Sequence, residues 1–212
     1  QLRVWIDDWR AEAATDSTGS HTVVAHDETH SLALTLQPAK PLVTHGAAGI
    51  SRKGKDISQA SHYYSFTRLA TTGSLTIDGE QFEVTGLTWM DHEFGSAELG
   101  TDQVGWDWFS IQLEDDTELM LYRMRRKDGS SDLASSGTAV SPDGRTRHLE
   151  VTDFQIESTA TWASPESKAT YPSRWKLTFP SLDLVLDVTP LLADQELRTS
   201  RSTKVSYWEG AV

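Results

Sequence analysis

Apolar and polar residues alternate along most of this 212-residue chain. Leu32, Leu34 and Leu36 occupy every second position of SLALTLQ, and YYSFTRLATTGSLTIDGEQFEVTGLTWMDHE reads as strand, turn and long strand about Asp78-Gly79. A period of two belongs to a strand with one face in a core, and Asp-Gly between two such runs signals a hairpin. The pattern returns in GWDWFSIQL, ELMLYRMRR, SGTAV, HLEVTDFQIES, SRWKLTF and LDLVLDVTP, with turn signals at Asp115-Asp116, at 127–129 and at Asp143-Gly144. Helical spacing is not sustained anywhere; LLADQEL near residue 194 predicts one short helical turn. Strands joined by tight turns, without helices to cover a parallel sheet, predict an all-β, antiparallel barrel or sandwich. The segment TWASPESKATYPSR, 161–174, predicts the break between two β units, 1–160 and 161–212. Both ends, QLRVWIDDW and VSYWEGAV, read as strands without polar tails, so the chain is expected to be part of a longer one.

Charge and composition narrow the function. The formal charge of -12 argues against a nucleic-acid backbone or an anionic membrane as partner, since both reward clustered Lys and Arg. The one dense basic run, Arg123, Arg125, Arg126 and Lys127, is expected to be a solvated strand end. The absence of Cys removes disulfides, thiolate nucleophiles and thiolate metal sites. No apolar run approaches the roughly 20 residues of a membrane span, and no signal peptide is present in the sequence as it stands. Oligomeric state is left open.

The stretch GLTWMDHEFGSAELG, 86–100, concentrates the candidate chemistry. On a strand, Met90, His92, Phe94 and Ser96 share one face and Trp89, Asp91 and Glu93 the other. In GWDWFSIQL, Asp107 shares a face with Phe109, Ile111 and Leu113, opposite Trp106, Trp108 and Ser110. The Asp107 face is apolar apart from the Asp and is expected to point inward. If His92 also points inward, a carboxyl and an imidazole meet in an apolar cavity, an arrangement suited to acid–base chemistry. The competing reading is structural: a hydrogen-bonded core His, with Asp91 or Glu93 paired to Arg68 or Arg123. Adjacent His92 and Glu93 point opposite ways on a strand and so do not ligate one metal ion; His21, His26 and His30 read as polar loop. No Gly-x-Ser-x-Gly elbow occurs, which leaves Ser96 and Ser110 as hydroxyls near the candidate acids and Tyr64, beside Tyr63, as a phenol donor.

The run from YYSFTRL to MDHEFGS, followed by GWDWFSIQLEDDTELMLYRMRRKDG, TPLLADQEL and YWEGAV, resembles the lipocalin-like family that contains carotenoid 1,2-hydratase and the AttH-type secreted hydrolases. The resemblance implies two lipocalin-like (calycin) β-barrel units, incomplete here at both chain ends, an exported or periplasmic setting, no cofactor and an apolar small-molecule substrate. By motif match it points to His92, Phe94 and Asp107; Phe94 stands where Trp is commonly seen. Ester hydrolysis is the leading expectation, with His92 as base for water or for a Ser hydroxyl, Ser96 being the favoured Ser, Asp107 orienting the imidazole and Tyr64 donating to the oxyanion. Trp89, Met90, Phe94, Trp108 and Phe109 would line the substrate cavity. The alternatives are a hydratase in which Asp107 is the proton donor and His92 tunes it, and a carrier of a lipid or pigment without catalysis.

Overall fold

A computed structural model of the chain describes residues 2–15, 18–95, 99–199 and 206–212. The chain divides into two compact units, Gln1–His148 and Leu149–Val212. The architecture is all-β and antiparallel and includes a curled half-barrel. The first sheet contains β1 (Arg3–Ile6), β2 (Trp9–Ala13), β3 (His21–His26), β4 (His30–Pro38), β5 (Val43–Thr44), β6 (Ile50–Arg52), β7 (Ala60–Ile77) and β8 (Glu80–Gly95). The second runs β12-β11-β10-β9, from β9 (Gln103–Gln112), β10 (Glu118–Arg126), β11 (Ser136–Val140) and β12 (Thr146–Glu150). In the second unit β13 (Gln155–Ala163), β14 (Thr170–Phe179) and β15 (Leu184–Val188) form a meander, and β16 (Glu196–Arg198) pairs with β17 (Ser206–Trp208).

The spine of the first unit is β7. One edge pairs with β8 along nearly its whole length; the other edge pairs in turn with β6, β5 and β4. Asp78 and Gly79 close the β7–β8 hairpin with φ of 51° and 84°, the left-handed pair that matches the twist of two adjacent strands. The register shifts between Phe66 and Leu69, so that Thr67 and Arg68 oppose the single residue Trp89. Such a bulge bends the strand and re-aims the side chains beside it.

Two kinds of interaction hold this unit. Leu69, Leu119 and Leu121 are completely enclosed, and each buried Leu contributes roughly 1.5–3 kcal/mol relative to exposure. Glu118 at the start of β10 is also wholly buried, where it accepts from Lys40 Nζ at 2.8 Å and from Arg68 Nε at 2.5 Å. The bulge is what brings Arg68 to Glu118, and Arg68 reaches Asp116 and the Leu113 carbonyl as well.

Several expectations are corrected. The 161–174 segment is no break; it forms the β13–β14 hairpin, and the division into units falls at 148/149. LLADQEL makes no helical turn, and the helical piece among the described residues is a 3₁₀ turn at Pro180–Leu182. The basic run is not simply solvated: Arg123 and Arg125 face Asp107, and Arg126 pairs with Asp132 at 3.0 Å. His21, His26 and His30 belong to strands, not a loop, and His21 is buried. No helix of the described residues is long and apolar enough to cross a membrane.

Candidate active site

The β7–β8 hairpin carries two chemically different faces. Its ladder pairs Ser61 with Gly95, Tyr63 with Glu93 and Ser65 with Asp91; between them lie His62 with Phe94 and Tyr64 with His92. Successive side chains alternate, so Tyr63, Ser65, Asp91 and Glu93 share one face and His62, Tyr64, His92 and Phe94 the other. Tyr63 identifies the first face as the inner one, because it is buried with Met120, Tyr122 and Met124, and Trp89 and Trp108 pack on that cluster. The β9–β10 register sets Trp106 opposite Met124 and Trp108 opposite Tyr122, which turns both indoles toward the same interior.

Asp91 is densely hydrogen-bonded on this face. Its Oδ1 accepts from the Ser65 hydroxyl and from Trp89 Nε1–H at 2.9 Å, and Tyr63 is a further donor. The Tyr63 hydroxyl itself accepts from Trp108 Nε1–H at 3.1 Å. Behind Ser65 stands His45, its Nε2 2.8 Å from Ser65 Oγ and its Nδ1 2.9 Å from Thr138 Oγ1. The Asp91 residue keeps an exposed flank, yet burial of its carboxyl outweighs the lowering hydrogen bonds from Ser65, Trp89 and Tyr63 and pushes its pKa up, helped by the charge of Glu93. A carboxyl so placed is biased toward its acid form. Burial, reinforced by the positive charges of Lys53 and His148, drives His45 down to about 4.

Glu93, two residues along the same face, has a separate set of partners. Lys53 Nζ lies 2.8 Å from its Oε1, and Ser61 donates to the same oxygen at 2.5 Å. Lys53 also donates to Ser51 at 3.0 Å and stands 3.7 Å from the centroid of the Tyr122 ring, where the π face attracts the cation. Lys53, Ser61, Glu93, Trp106, Trp108 and Tyr122 line a cavity of about 320 Å³, a size suited to a small molecule. A larger hollow of about 720 Å³ lies beside it. That hollow is broad and polar, and its acids are engaged locally, Asp56 with Ser58, Asp102 with Thr101 and Asp132 with Arg126, so the chemistry is better sought in the smaller, aromatic-walled one. Among the described residues no group of three or more His, Asp and Glu gathers to hold a metal.

The expected meeting of His92 and Asp107 does not occur. His92 lies on the outer face, where its Nδ1 is 2.5 Å from Tyr64 Oη and its ring packs against Phe94. Asp107 is buried as expected, yet on the side of β9 away from Trp106 and Trp108, and Arg123 Nη2 lies 2.6 Å from its Oδ2. Phe109 shares that side and is buried; Met90 lies with the outer set. Phe94, stacked on His62, reaches the cavity rim, while Trp89 and Trp108 belong to the inner cluster. Ser96 lies outside the described residues. Neither Arg68 nor Arg123 pairs with Asp91 or Glu93; Lys53 takes Glu93 instead.

The sequence pattern assigns no chemistry to Asp91, Glu93 or Lys53, and by it His45 reads as one of the histidines in polar loops without ligand spacing. Asp91 and Glu93 were legible to the extent that they alternate with His92 beside Trp89, and only one of the two faces can be inner. His45 carried no signal, since its neighbours in PLVTHGAAG resemble an ordinary turn.

The comparisons agree with this architecture. A crystal structure described as an AttH from Nitrosomonas europaea superimposes with a TM-score of 0.89 at 33% identity, covering 98% of this chain and 63% of that one. Kievitone hydratase from Nectria haematococca superimposes with a TM-score of 0.78 at 18% identity, covering 99% of this chain and 63% of that one; this likeness shows the fold. The chain thus spans about 63% of the length of both solved structures. No curated protein sequence matches it. The model of the AttH-like family matches residues 1–212, the whole chain, and the chain belongs to that family.

Proposed function

We propose that this chain carries the acid–base centre of a hydro-lyase that adds water across a carbon–carbon double bond of a largely apolar substrate. The observation that carries the reading is Asp91, a carboxyl biased toward its acid form on the aromatic inner face. The protonated Asp91 gives its proton to one alkene carbon, forming a C–H bond and leaving a cation at the other. Trp89 and Trp108, which pack on the inner aromatic cluster, would offer π electrons to such a cation. Water held at the polar end of the cavity by Glu93 and Lys53 attacks the cation, and its surplus proton returns to the Asp91 carboxylate. The likeness in fold to kievitone hydratase supports the same class of reaction.

Ester hydrolysis, the leading expectation from the sequence, has less support. Ser65, the hydroxyl nearest a His and an Asp together, is wholly buried and donates to Asp91, which suits a structural hydroxyl better than a nucleophile. The test is to incubate the protein with isoprenoid and aryl alkenes in D2O containing ¹⁸O-water and follow the products by mass spectrometry. Deuterium at carbon together with ¹⁸O in a new hydroxyl, absent with folded Asp91→Asn, is the expected result. Turnover of p-nitrophenyl esters with no label at carbon would overturn the proposal.

A further inference from the structure

His45 is 1% exposed and Ser65 and Thr138 are nearly as enclosed, at 0% and 3%. Both ring nitrogens of His45 therefore end on hydroxyls, and Ser65 Oγ is shared between His45 Nε2 and Asp91 Oδ1. A hydroxyl has one proton and accepts at its lone pairs, so this line of four groups has a definite order for each state of Asp91. With Asp91 ionised, Ser65 donates to the carboxylate, His45 must donate from Nε2–H to Ser65, and Thr138 donates to Nδ1. With the acid proton on Oδ1, Asp91 donates to Ser65, Ser65 donates to Nε2, and His45 donates from Nδ1–H to Thr138. The imidazole stays neutral in both, and the two orders differ in direction along the whole line. An apolar group behind Ser65 would leave it a fixed donor, and a fixed donor favours the carboxylate alone.

We infer that His45 is a positioning residue that acts through Ser65, exchanging its two neutral tautomers so that one rigid array satisfies Asp91 as acid and as carboxylate. This deepens the proposed function and rests on Asp91 being the proton donor there. The groups facing the array are few. Against His45 stand the Tyr63 ring, 4.3 Å between centroids, and the charges of Lys53 and His148; against Asp91 stand Tyr63, Trp89 and Glu93. Burial holds His45 neutral down to about pH 4 and raises the Asp91 carboxyl above its ordinary value, two shifts that both favour a neutral ring beside the acid form of Asp91.

The test needs no substrate, so its outcome is independent of whether the alkene is hydrated. In protein labelled with ¹³C and ¹⁵N, the Asp91 carboxyl and the His45 ring nitrogens are followed by NMR from about pH 3 to about pH 9, with Asp91→Asn assigning the carboxyl. The expected result is that Nε2 carries the proton above the Asp91 midpoint and Nδ1 below it, with one shared midpoint. In Ser65→Ala the coupling should vanish, leaving one tautomer throughout. His45→Gln, whose amide both donates and accepts, should keep the Asp91 midpoint near that of the wild type, whereas His45→Phe should lower it. A His45 that holds one tautomer through the Asp91 titration in the wild type overturns the inference, as does an Asp91 midpoint unchanged in folded His45→Phe.

Discussion

Asp91 and His92 are adjacent in sequence and stand on opposite faces of one sheet. The carboxylate accepts from Ser65 and Trp89 on the inner face, while the imidazole meets Tyr64 Oη at 2.5 Å on the outer. The strand geometry makes this unavoidable, because neighbouring side chains on an extended backbone point about 180° apart. Their roles should separate as cleanly as their positions.

Asp91→Asn keeps the shape of the side chain and removes the transferable proton, so activity should fall by about 10²–10⁴-fold, the usual worth of a general acid. His92→Ala should leave turnover within a few-fold. Asp107→Asn should act on stability instead, because it breaks a buried pair with Arg123. Turnover of the labelled alkene products and urea unfolding of the three variants check this; a folded His92→Ala with no activity would return the chemistry to the outer face.

Lys53→Met removes the cation that holds Glu93 and faces Tyr122. If Glu93 and Lys53 hold the attacking water, the variant should still exchange deuterium from solvent into the alkene but incorporate less ¹⁸O than the wild type. Equal loss of both labels would place Lys53 before proton transfer.

The pH dependence has two opposite parts. The folded pKa of Asp91 is raised, so its stabilising contribution is present below the unfolded value and lost as pH rises through the folded one. Ionised Asp91 therefore costs stability at neutral pH, and Asp91→Asn should raise the urea midpoint at pH 7. Catalysis should decline along the same rising limb, as the acid form is consumed. His45 has a depressed folded pKa, about 4 against 6.5, so its contribution is present above about pH 6.5 and lost as pH falls toward 4. That contribution is of order 3 kcal/mol. Urea midpoints at pH 7 and pH 4.5 should differ less in His45→Gln than in the wild type.

Glu118→Gln should be among the most damaging single changes in the first unit. It leaves Lys40 and Arg68 in the interior without their shared carboxylate, and removing one partner from a buried pair costs about 3–5 kcal/mol. Chemical unfolding reads this directly, and a loss below about 1 kcal/mol would mean that the Asp116 side chain and the Leu113, Asp116 and Ser141 carbonyls suffice for the two cations.

Gly73→Ala tests the path of β7 past β4. Gly73 has φ of 151°, and a Cβ there would stand 2.1 Å from the Ala33 carbonyl oxygen. Backbone must move, so the midpoint should drop clearly, whereas Gly86→Ala, with open space around it, should change it little.

The sequence by itself determined the strands and their turns. Period-two runs and Asp-Gly pairs are local signals, and the hairpin at Asp78-Gly79 formed where those signals lay, since left-handed φ is needed there and Asp and Gly tolerate it. The family was legible for a similar reason, because its motifs lie on contiguous strands. Only the tertiary structure decided which face of those strands is inner. Trp89 and Met90, or Trp108 and Phe109, are apolar on both sides, so alternation alone does not choose between them. The choice came from Tyr63 packing with Met120, Tyr122 and Met124, residues brought together from strands far apart in sequence. His45 and Thr138, 93 positions apart, meet for the same reason: hydrogen bonds in a buried site are set by which strands close over it, and no local pattern records that closure.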